Sequence, residues 1–458
     1  MAAQMAGVET AGRNLANVNN PAYSRQRVNL QTSVAAGDGP QGSGVQVTSV
    51  QRIVDDLLSG RIQTQAGVEN FWKTQQALLQ NAQSGLNEFL NSTGSTDAST
   101  STATATDPNA SLSARLTSFF SAAQALTTAN TPANRQTLAT AAQSLATTFN
   151  SVSSQLASAR TEANTSIAND TNAANTLLTG IANLNHQISD AEFSGGAAND
   201  LRDLRDQALE NLGKLVNFTS SNGANGAVNI SVGGQSLVNG VTVVDTLQTY
   251  DAGGGQRLLQ TTTGATPVTL TSGSIFGAVT ARDTTVAGVQ TNVDLLANTL
   301  ITQVNALHAT GFNASGTSGN NFFNGTAAGT ISLNAALLSD PSLIQASGSA
   351  TATADNSVAL AIAQLASSSQ AALGSQTFSQ AYSAIVGGLG SAVKTANDAV
   401  DNEATATGYL AAQRNSVSGV STDEEMTTLL SFQRAYTASA ELLKTIDQMI
   451  QTTLAMKT

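Results

Sequence analysis

The chain has 458 residues, enough for several domains and a sizeable core, with a net charge of −11 and only 11% charged residues. That balance, with no basic cluster, excludes a nucleic-acid binder. The absence of cysteine excludes a disulfide framework and a thiolate metal site, and no apolar run reaches the roughly 18–20 residues of a membrane span.

Met1, Met5, Val8, Gly12, Leu15 and Val18 stand at helical steps and predict a first helix with a thin apolar stripe. It stops at Asn19-Asn20-Pro21, because the residue before proline is pushed out of the helical region. Residues 23–30 read as extended, and residues 35–44 as a loop. Val45, Val47 and Val50 predict a short strand. A helix is expected from Arg52 to Leu90, then a low-complexity loop over 91–110. Three helices follow: Leu112–Leu126, one after Pro132 marked by Leu138 to Leu156, and one marked by Ile167 to Ile188. Residues 200–214 predict a further helix.

Residues 216–272 change character. Val228, Ile230 and Val232 alternate before a Gly233-Gly234 turn, which predicts β-hairpins. Helix returns near Ser274 and runs to about Gly311. Residues 311–353 read as irregular, with a short strand near Ile331, and two helices follow at 355–368 and 377–412. The last stretch, from Thr422, carries Phe432, Tyr436, Ser439, Leu443, Ile446 and Ile450 at steps of three and four. Thr422 is a candidate cap, and Asp423, Glu424 and Glu425 suit the positive end of the helix dipole. At about 1.5 Å per residue such a helix is roughly 50 Å long. Its stripe needs a partner, in this chain or another.

The expected fold is mostly α with an inserted β-rich module (α+β, multidomain). A long helical bundle is nested between terminal helices that meet and pair as a coiled coil. The domain reading is 1–30 with 422–458 as a terminal coiled-coil domain. Residues 31–212 with 274–310 and 354–421 form the helical bundle. Residues 213–273 with 311–353 form a β-rich outer module.

Little in the sequence points to chemistry. Gly37, Gly39 and Gly42 have dinucleotide-binding spacing, but a loop and then a strand follow where a helix should open. The run Asp200, Arg202, Asp203, Arg205, Asp206 and Glu210 reads as a solvated helix face, with Arg202–Asp206 as an i,i+4 pair. His186 and His308 lie singly in helical stripes and read as packing residues, so no metal, cofactor or catalytic residue is expected.

Several motifs in order resemble one family. Asn14-Leu15-Ala16-Asn17-Val18-Asn19-Asn20-Pro21-Ala22-Tyr23-Ser24-Arg25-Gln26 resembles the N-terminal signature of the axial proteins of the bacterial flagellum. The Tyr23-Ser24-Arg25-Gln26 ending is similar to the FlgK-like hook-associated branch. So are Gly44-Val45-Gln46-Val47 with Val50-Gln51-Arg52-Ile53, Leu201-Arg202-Asp203 with Arg205-Asp206, and Asn305-Ala306-Leu307-His308. Val420-Ser421-Thr422-Asp423-Glu424-Glu425 with Phe432-Gln433-Arg434-Ala435-Tyr436 completes the likeness. Ala22 stands where the family often has glycine, and the family carries a longer helix before Asn14.

The resemblance implies a structural subunit, not an enzyme, in a layer between hook and filament. Paired terminal helices would line its core. The implied partners are other copies of the chain, the hook protein, a second hook-associated protein and an export chaperone on the C-terminal helix, with no nucleic acid and no membrane. The implied location is the extracellular flagellum, reached by type III export without a cleavable signal peptide. The assembly residues it implies are Leu15, Asn17, Asn20, Tyr23, Arg25, Gln26, Phe432, Tyr436, Leu443, Ile446 and Ile450. The alternative is another axial component: the second junction protein, a flagellin, or a hook or rod subunit. A secreted adhesin or surface enzyme should instead show repeats and a signal peptide.

Overall fold

The computed structural model describes residues 1–32, 44–86, 111–352 and 355–456. The loops expected at 35–44 and 91–110 lie outside them, Gly44 apart, and so does the Gly37–Gly42 spacing. Helix α1 (Ala2–Ala16) leads into an antiparallel ribbon of β1 (Gln26–Thr32) and β2 (Val45–Arg52). Next come α2 (Asp56–Gly85), α3 (Leu112–Thr128), α4 (Pro132–Phe193) and α5 (Asn199–Leu215). The start expected at Arg52 belongs to the ribbon. Asp55 caps α2 instead, its carboxylate accepting from the Leu58 amide at 3.0 Å.

The largest departure from the sequence reading is α4. The two helices expected after Pro132 are one helix of 62 residues, about 93 Å long. The stretch between the two large-residue stripes holds neither glycine nor proline. Ala159 and Ala163 carry the buried seam from Leu156 to Ile167 at helical steps. Counting only large apolar side chains hides that continuity. Thr131 caps the helix, and Pro132 occupies the first turn, where its missing N–H costs nothing.

Strands β3 (Phe218–Asn222), β4 (Val228–Val232), β5 (Gln235–Asn239) and β6 (Thr242–Val243) form an antiparallel meander. Val228, Ile230 and Val232 point into the core. Gly233 and Gly234 both take positive φ, as the two-residue turn between β4 and β5 requires. A hairpin of β7 (Leu247–Asp251) and β8 (Arg257–Thr261) follows. Both sheets sit on the second half of α4, where Asn175 bonds Leu247 and Asn185 bonds the carbonyls of Val228 and Gly240.

The helix expected from Ser274 is interrupted. α6 (Ser274–Thr280) and α7 (Ala287–Ala309) flank a π-helical stretch, Ala281–Val286. There the fully buried Arg282 forks onto Asp283 and donates to Asn164 and to the Arg257 carbonyl. Strands β9 (Phe323–Asn324) and β10 (Ser332–Leu333) make a separate two-stranded sheet against the first half of α4, through Asn150. His308 is buried there as a packing residue: Nδ1 bonds the Asn320 carbonyl and Nε2 accepts from the Gln345 amide. His186 instead lies exposed beside Asp190.

Short α8 (Ala335–Ser339) and α9 (Ser357–Gln364) lead to α10 (Phe378–Ser418), opened by a capping box of Thr377 and Gln380. α10 packs along α2, and α11 (Thr422–Ala455) returns to α1. One apolar core runs through the body, from Leu79, Leu112 and Phe119 to Leu178, Leu212 and Ile230. The terminal helix pair lies outside that core.

Candidate assembly site at the terminal helix pair

The two chain ends meet, as the nested reading expects. α1 and α11 run antiparallel. Asn14 lies against Glu425, and Gly7 lies seven residues earlier against Phe432, seven residues later. A Cβ at Gly7 would sit 2.6 Å from the Phe432 ring. The seam therefore sets a large ring on one helix against small residues on the other.

That packing corrects the N-terminal stripe. Met1, Met5, Val8, Gly12, Leu15 and Val18 do not form the buried face; Ala3, Gly7, Thr10, Ala11 and Asn14 do. Met1 and Met5 are exposed, and Leu15 is half-buried. The physical reason is the close approach: an aromatic ring on α11 leaves room only for small side chains on α1. The capping assignment also moves by one residue, since Ser421, not Thr422, is the extended residue that caps α11.

By the same register α1 runs out near Ser439, while α11 continues for four more turns. Glu425 is the only buried residue of α11. Phe432 is half-buried, whereas Tyr436, Leu443, Ile446 and Ile450 are exposed, the last three at 53%, 39% and 53%.

Where the helix pair meets the body, polar groups replace apolar packing. Asn14, 1% exposed, uses its full hydrogen-bonding capacity. Its Nδ2 donates to the Gln26 carbonyl at 2.9 Å and to Glu425 Oε2 at 3.0 Å. Its Oδ1 accepts from the Gln26 amide at 3.0 Å and from the Tyr23 hydroxyl at 2.8 Å. Arg25 grips the start of α11 from the other side, with Nε on Glu425 and a terminal nitrogen on Glu424, both at 2.7 Å. Its amide donates to the Ser418 carbonyl at the end of α10, and its carbonyl accepts from the Ile53 amide.

The turn between α1 and the ribbon is self-made. Asn17 ends α1 and donates back to the Arg13 carbonyl, and Asn20 accepts from the Ala22 amide ahead of the extended segment. Gln26 reaches the body, donating to Asp200 at 2.9 Å and accepting from Asn199. Burial first, then the carboxylates of Asp200 and Asp203, raise the Tyr23 pKa and keep its phenol protonated as a donor.

The charged run on α5 completes the clamp and overturns its reading as a solvated face. Asp203 and Arg205 are buried. Asp203 accepts from the Ser24 amide and pairs with Arg52 at 2.6 Å. Asp206 pairs with Arg52 at 2.8 Å rather than with Arg202, which reaches Glu192. Arg205 donates to Asn185 and to the Gly226 carbonyl. Burial raises the Asp203 pKa in spite of these partners. For Arg52, burial opposes the charge, but Asp206 and Asp203 prevail and raise its pKa. A buried charge must find a fixed partner; those of Asp203 lie more than a hundred residues away and those of Arg205 about twenty, all beyond the reach of helical spacing. A recess of about 700 Å³, lined by residues of this clamp together with Asp55, Glu210, Lys214 and Arg414, lies between the crossing strands of chain.

Of the expected assembly residues, Tyr23, Arg25 and Gln26 thus converge on one clamp, with Asn17 and Asn20 shaping the turn beside it and Phe432 in the seam two turns along α11. Leu443, Ile446 and Ile450 do not join them. Asn14, Arg52, Asp203 and Glu425 are absent from that expectation although each stands inside a quoted motif. An acidic first turn on α11 with basic residues in the N-terminal signature is the signal that could have joined them.

Comparison with known proteins places this geometry in a family. Residues 98–323 match the flagellar hook-associated protein FlgK helical domain, and residues 411–456 match the flagellar basal body rod FlgEFG protein C-terminal family. The chain is 27% identical to flagellar hook-associated protein 1 of Bacillus subtilis (strain 168), covering 98% of this chain and 95% of that one. It is 25% identical to the protein of the same name from Salmonella typhimurium, covering 99% and 98%. Its fold is similar to that of the flagellar hook junction protein FlgK from Burkholderia pseudomallei, with a TM-score of 0.66 and 17% identity over 80% of this chain and all of that one. Signature, clamp and full-length likeness agree, and the chain belongs to the FlgK family of flagellar hook-associated proteins.

Proposed function

We propose that this chain is a structural subunit of the bacterial flagellum, one of many copies that form the junction layer between hook and filament. The carrying observation is α11: a 34-residue helix with a single buried residue, whose apolar stripe of Tyr436, Leu443, Ile446 and Ile450 lies exposed among the described residues. An exposed apolar face of that length marks a protein–protein contact. In this reading Tyr436, Leu443, Ile446 and Ile450 meet other copies. Leu15, Asn17, Asn20, Tyr23, Arg25, Gln26 and Phe432 act within one copy, fixing the angle at which the helix pair leaves the body.

The role is structural rather than enzymatic. The chain associates with other copies, with the hook protein and with a second hook-associated protein. A chaperone covers the exposed C-terminal helix before export, and the chain leaves through the type III pathway.

The test is a cell whose only copy of the protein lacks residues 423–458. Its body should fold, because α11 adds nothing to the apolar core, yet filaments should not join hooks. Motile cells with joined filaments would end this reading. The second reading, a rod or hook subunit, draws on the 411–456 match to a rod family. Antibody labelling along the rod or hook, rather than at the junction, would favour it.

A further inference from the structure

Every sulfur atom of the chain lies on the terminal helix pair. There is no cysteine, and the five methionines are Met1, Met5, Met426, Met449 and Met456. Met1 opens α1 and Met5 follows one turn later; Met426 and Met449 lie on α11, and Met456 closes it. None of residues 17–421 is a methionine. Methionine is ordinarily among the most buried residue types, yet here all five are exposed, from 40% at Met1 to 84% at Met456. The core of the body is built instead mainly from leucine, isoleucine, valine, phenylalanine and alanine.

Met449 stands between Ile446 and Ile450 on the open stripe of α11 and is 57% exposed. Met426, 48% exposed, follows Glu425 of the clamp, and Met5, 55% exposed, precedes Gly7 of the seam. A thioether in water is open to two-electron oxidants, whereas one in a packed core is shielded. With hydrogen peroxide, a sulfur lone pair takes one oxygen atom as the O–O bond breaks. Sulfur gives up two electrons, the second oxygen leaves as water, and the product is a sulfoxide. A pliable apolar side chain thereby becomes a polar one. Where a neighbour covers that oxygen without donating a hydrogen bond, each site weakens association by about a factor of ten or more.

We propose that Met5, Met426 and Met449 are oxidative modification sites of the unassembled chain, and that their sulfoxides keep it out of the junction layer. This rests on the reading of the chain as a multi-copy junction subunit and deepens it. The only oxidisable sulfur coincides with the surface that other copies must cover, and the body that folds on its own core holds none. Peroxide therefore acts on assembly and leaves folding alone. The block is reversible, because methionine sulfoxide reductases return the thioether.

The test treats the purified full-length chain with hydrogen peroxide and adds it to hooks isolated from cells that lack it, with bound chain counted by antibody labelling. Peptide mass spectrometry should place one added oxygen on each of the three residues, and the melting temperature of the body should not move. Joining should fall by about tenfold or more. A Met5→Leu, Met426→Leu, Met449→Leu variant, close to the natural side chains in volume, should join equally well before and after treatment. Three results overturn the proposal and leave the junction reading intact: the three residues take up no oxygen, the oxidised chain joins as well as the untreated one, or the triple variant loses joining on treatment as the natural chain does. If the triple variant fails to join even untreated, reduction of the oxidised natural chain by the sulfoxide reductases decides. Restored joining supports the proposal, and reduced methionines without restored joining reject it. An untreated natural chain that never joins hooks overturns both readings.

Discussion

Replacing Asn14 by alanine removes one side chain and strands four partners at once. The Gln26 carbonyl and amide, Glu425 Oε2 and the Tyr23 hydroxyl each lose a bond of 2.8–3.0 Å. A buried hydrogen bond contributes about 1 kcal/mol net, and one to a charged group about 1.5–3 kcal/mol. Three of the four are buried and one of those ends on a carboxylate, so about 3 kcal/mol of local stability should go. Each 1.4 kcal/mol is a factor of ten in an opening equilibrium, which makes the clamp open about a hundredfold more often. Hydrogen exchange reads this at amides that Asn14 does not touch. The Arg25 amide donates to the Ser418 carbonyl and the Ile53 amide to the Arg25 carbonyl, both through the same clamp. Both should exchange about two orders of magnitude faster in Asn14→Ala, while amides in the middle of α4 keep their rates. Asn14→Asp should be worse at neutral pH, since it sets a carboxylate against Glu425, and should recover in part on acidification. Unchanged exchange at Arg25 and Ile53 would refute the reasoning, because the Arg25 ion pairs alone would then be holding the ends.

Three further outcomes follow from the same geometry. Gly7→Ala places a methyl 2.6 Å from the Phe432 ring and should cost about 1–3 kcal/mol of α1–α11 pairing, seen as faster exchange in α1 with an unchanged melting temperature of the body. His308 is held neutral, its pKa lowered to about 4 chiefly by burial, with Arg135 adding to the effect. Its folded value lies below its free value of 6.5, so its contribution is complete above pH 6.5 and is lost as pH falls towards 4, by about 3 kcal/mol. Urea midpoints across that window should fall for the natural chain, and His308→Gln should be less stable at pH 7 but nearly flat. In the unassembled chain, amides over residues 442–455 should exchange far faster than those of α4, since an isolated helix of that length is marginal; equal protection in both would show that the stripe is already covered.

Local pattern carried much of the fold, and the failures share one cause. The strands around Gly233-Gly234 and the helix expected from 377 follow from adjacent residues. So does the long apolar stripe of α11. Large-residue spacing divides α4, because alanines at 159 and 163 carry little hydrophobic signal although a close-packed seam needs them small. Hydropathy misplaces the face of α1 for the same reason: Met5 outweighs Gly7 on any hydropathy count, but Phe432 selects Gly7. The α5 run looked solvated because its partners, Arg52, Ser24 and Gly226, are remote in sequence or on the backbone. Spacing identifies which residues share a face; it does not identify what that face meets.

The division of labour between polar and apolar contacts has a mechanical consequence. In a chain with so few charges, five of the ten ion pairs among the described residues involve Arg25, Arg52 or Arg414 at the joint between helix pair and body. Apolar contacts are non-directional and tolerate sliding, whereas hydrogen bonds weaken steeply when bent. A joint made of the second kind fixes the direction in which the helix pair leaves the body. A seam made of the first kind, left open on α11, lets neighbouring copies settle against one another. Were the two exchanged, the angle within a copy would be loose, and each contact between copies would have to meet strict geometry before it contributed. The arrangement observed sets the angle once, inside each chain, before any second copy arrives.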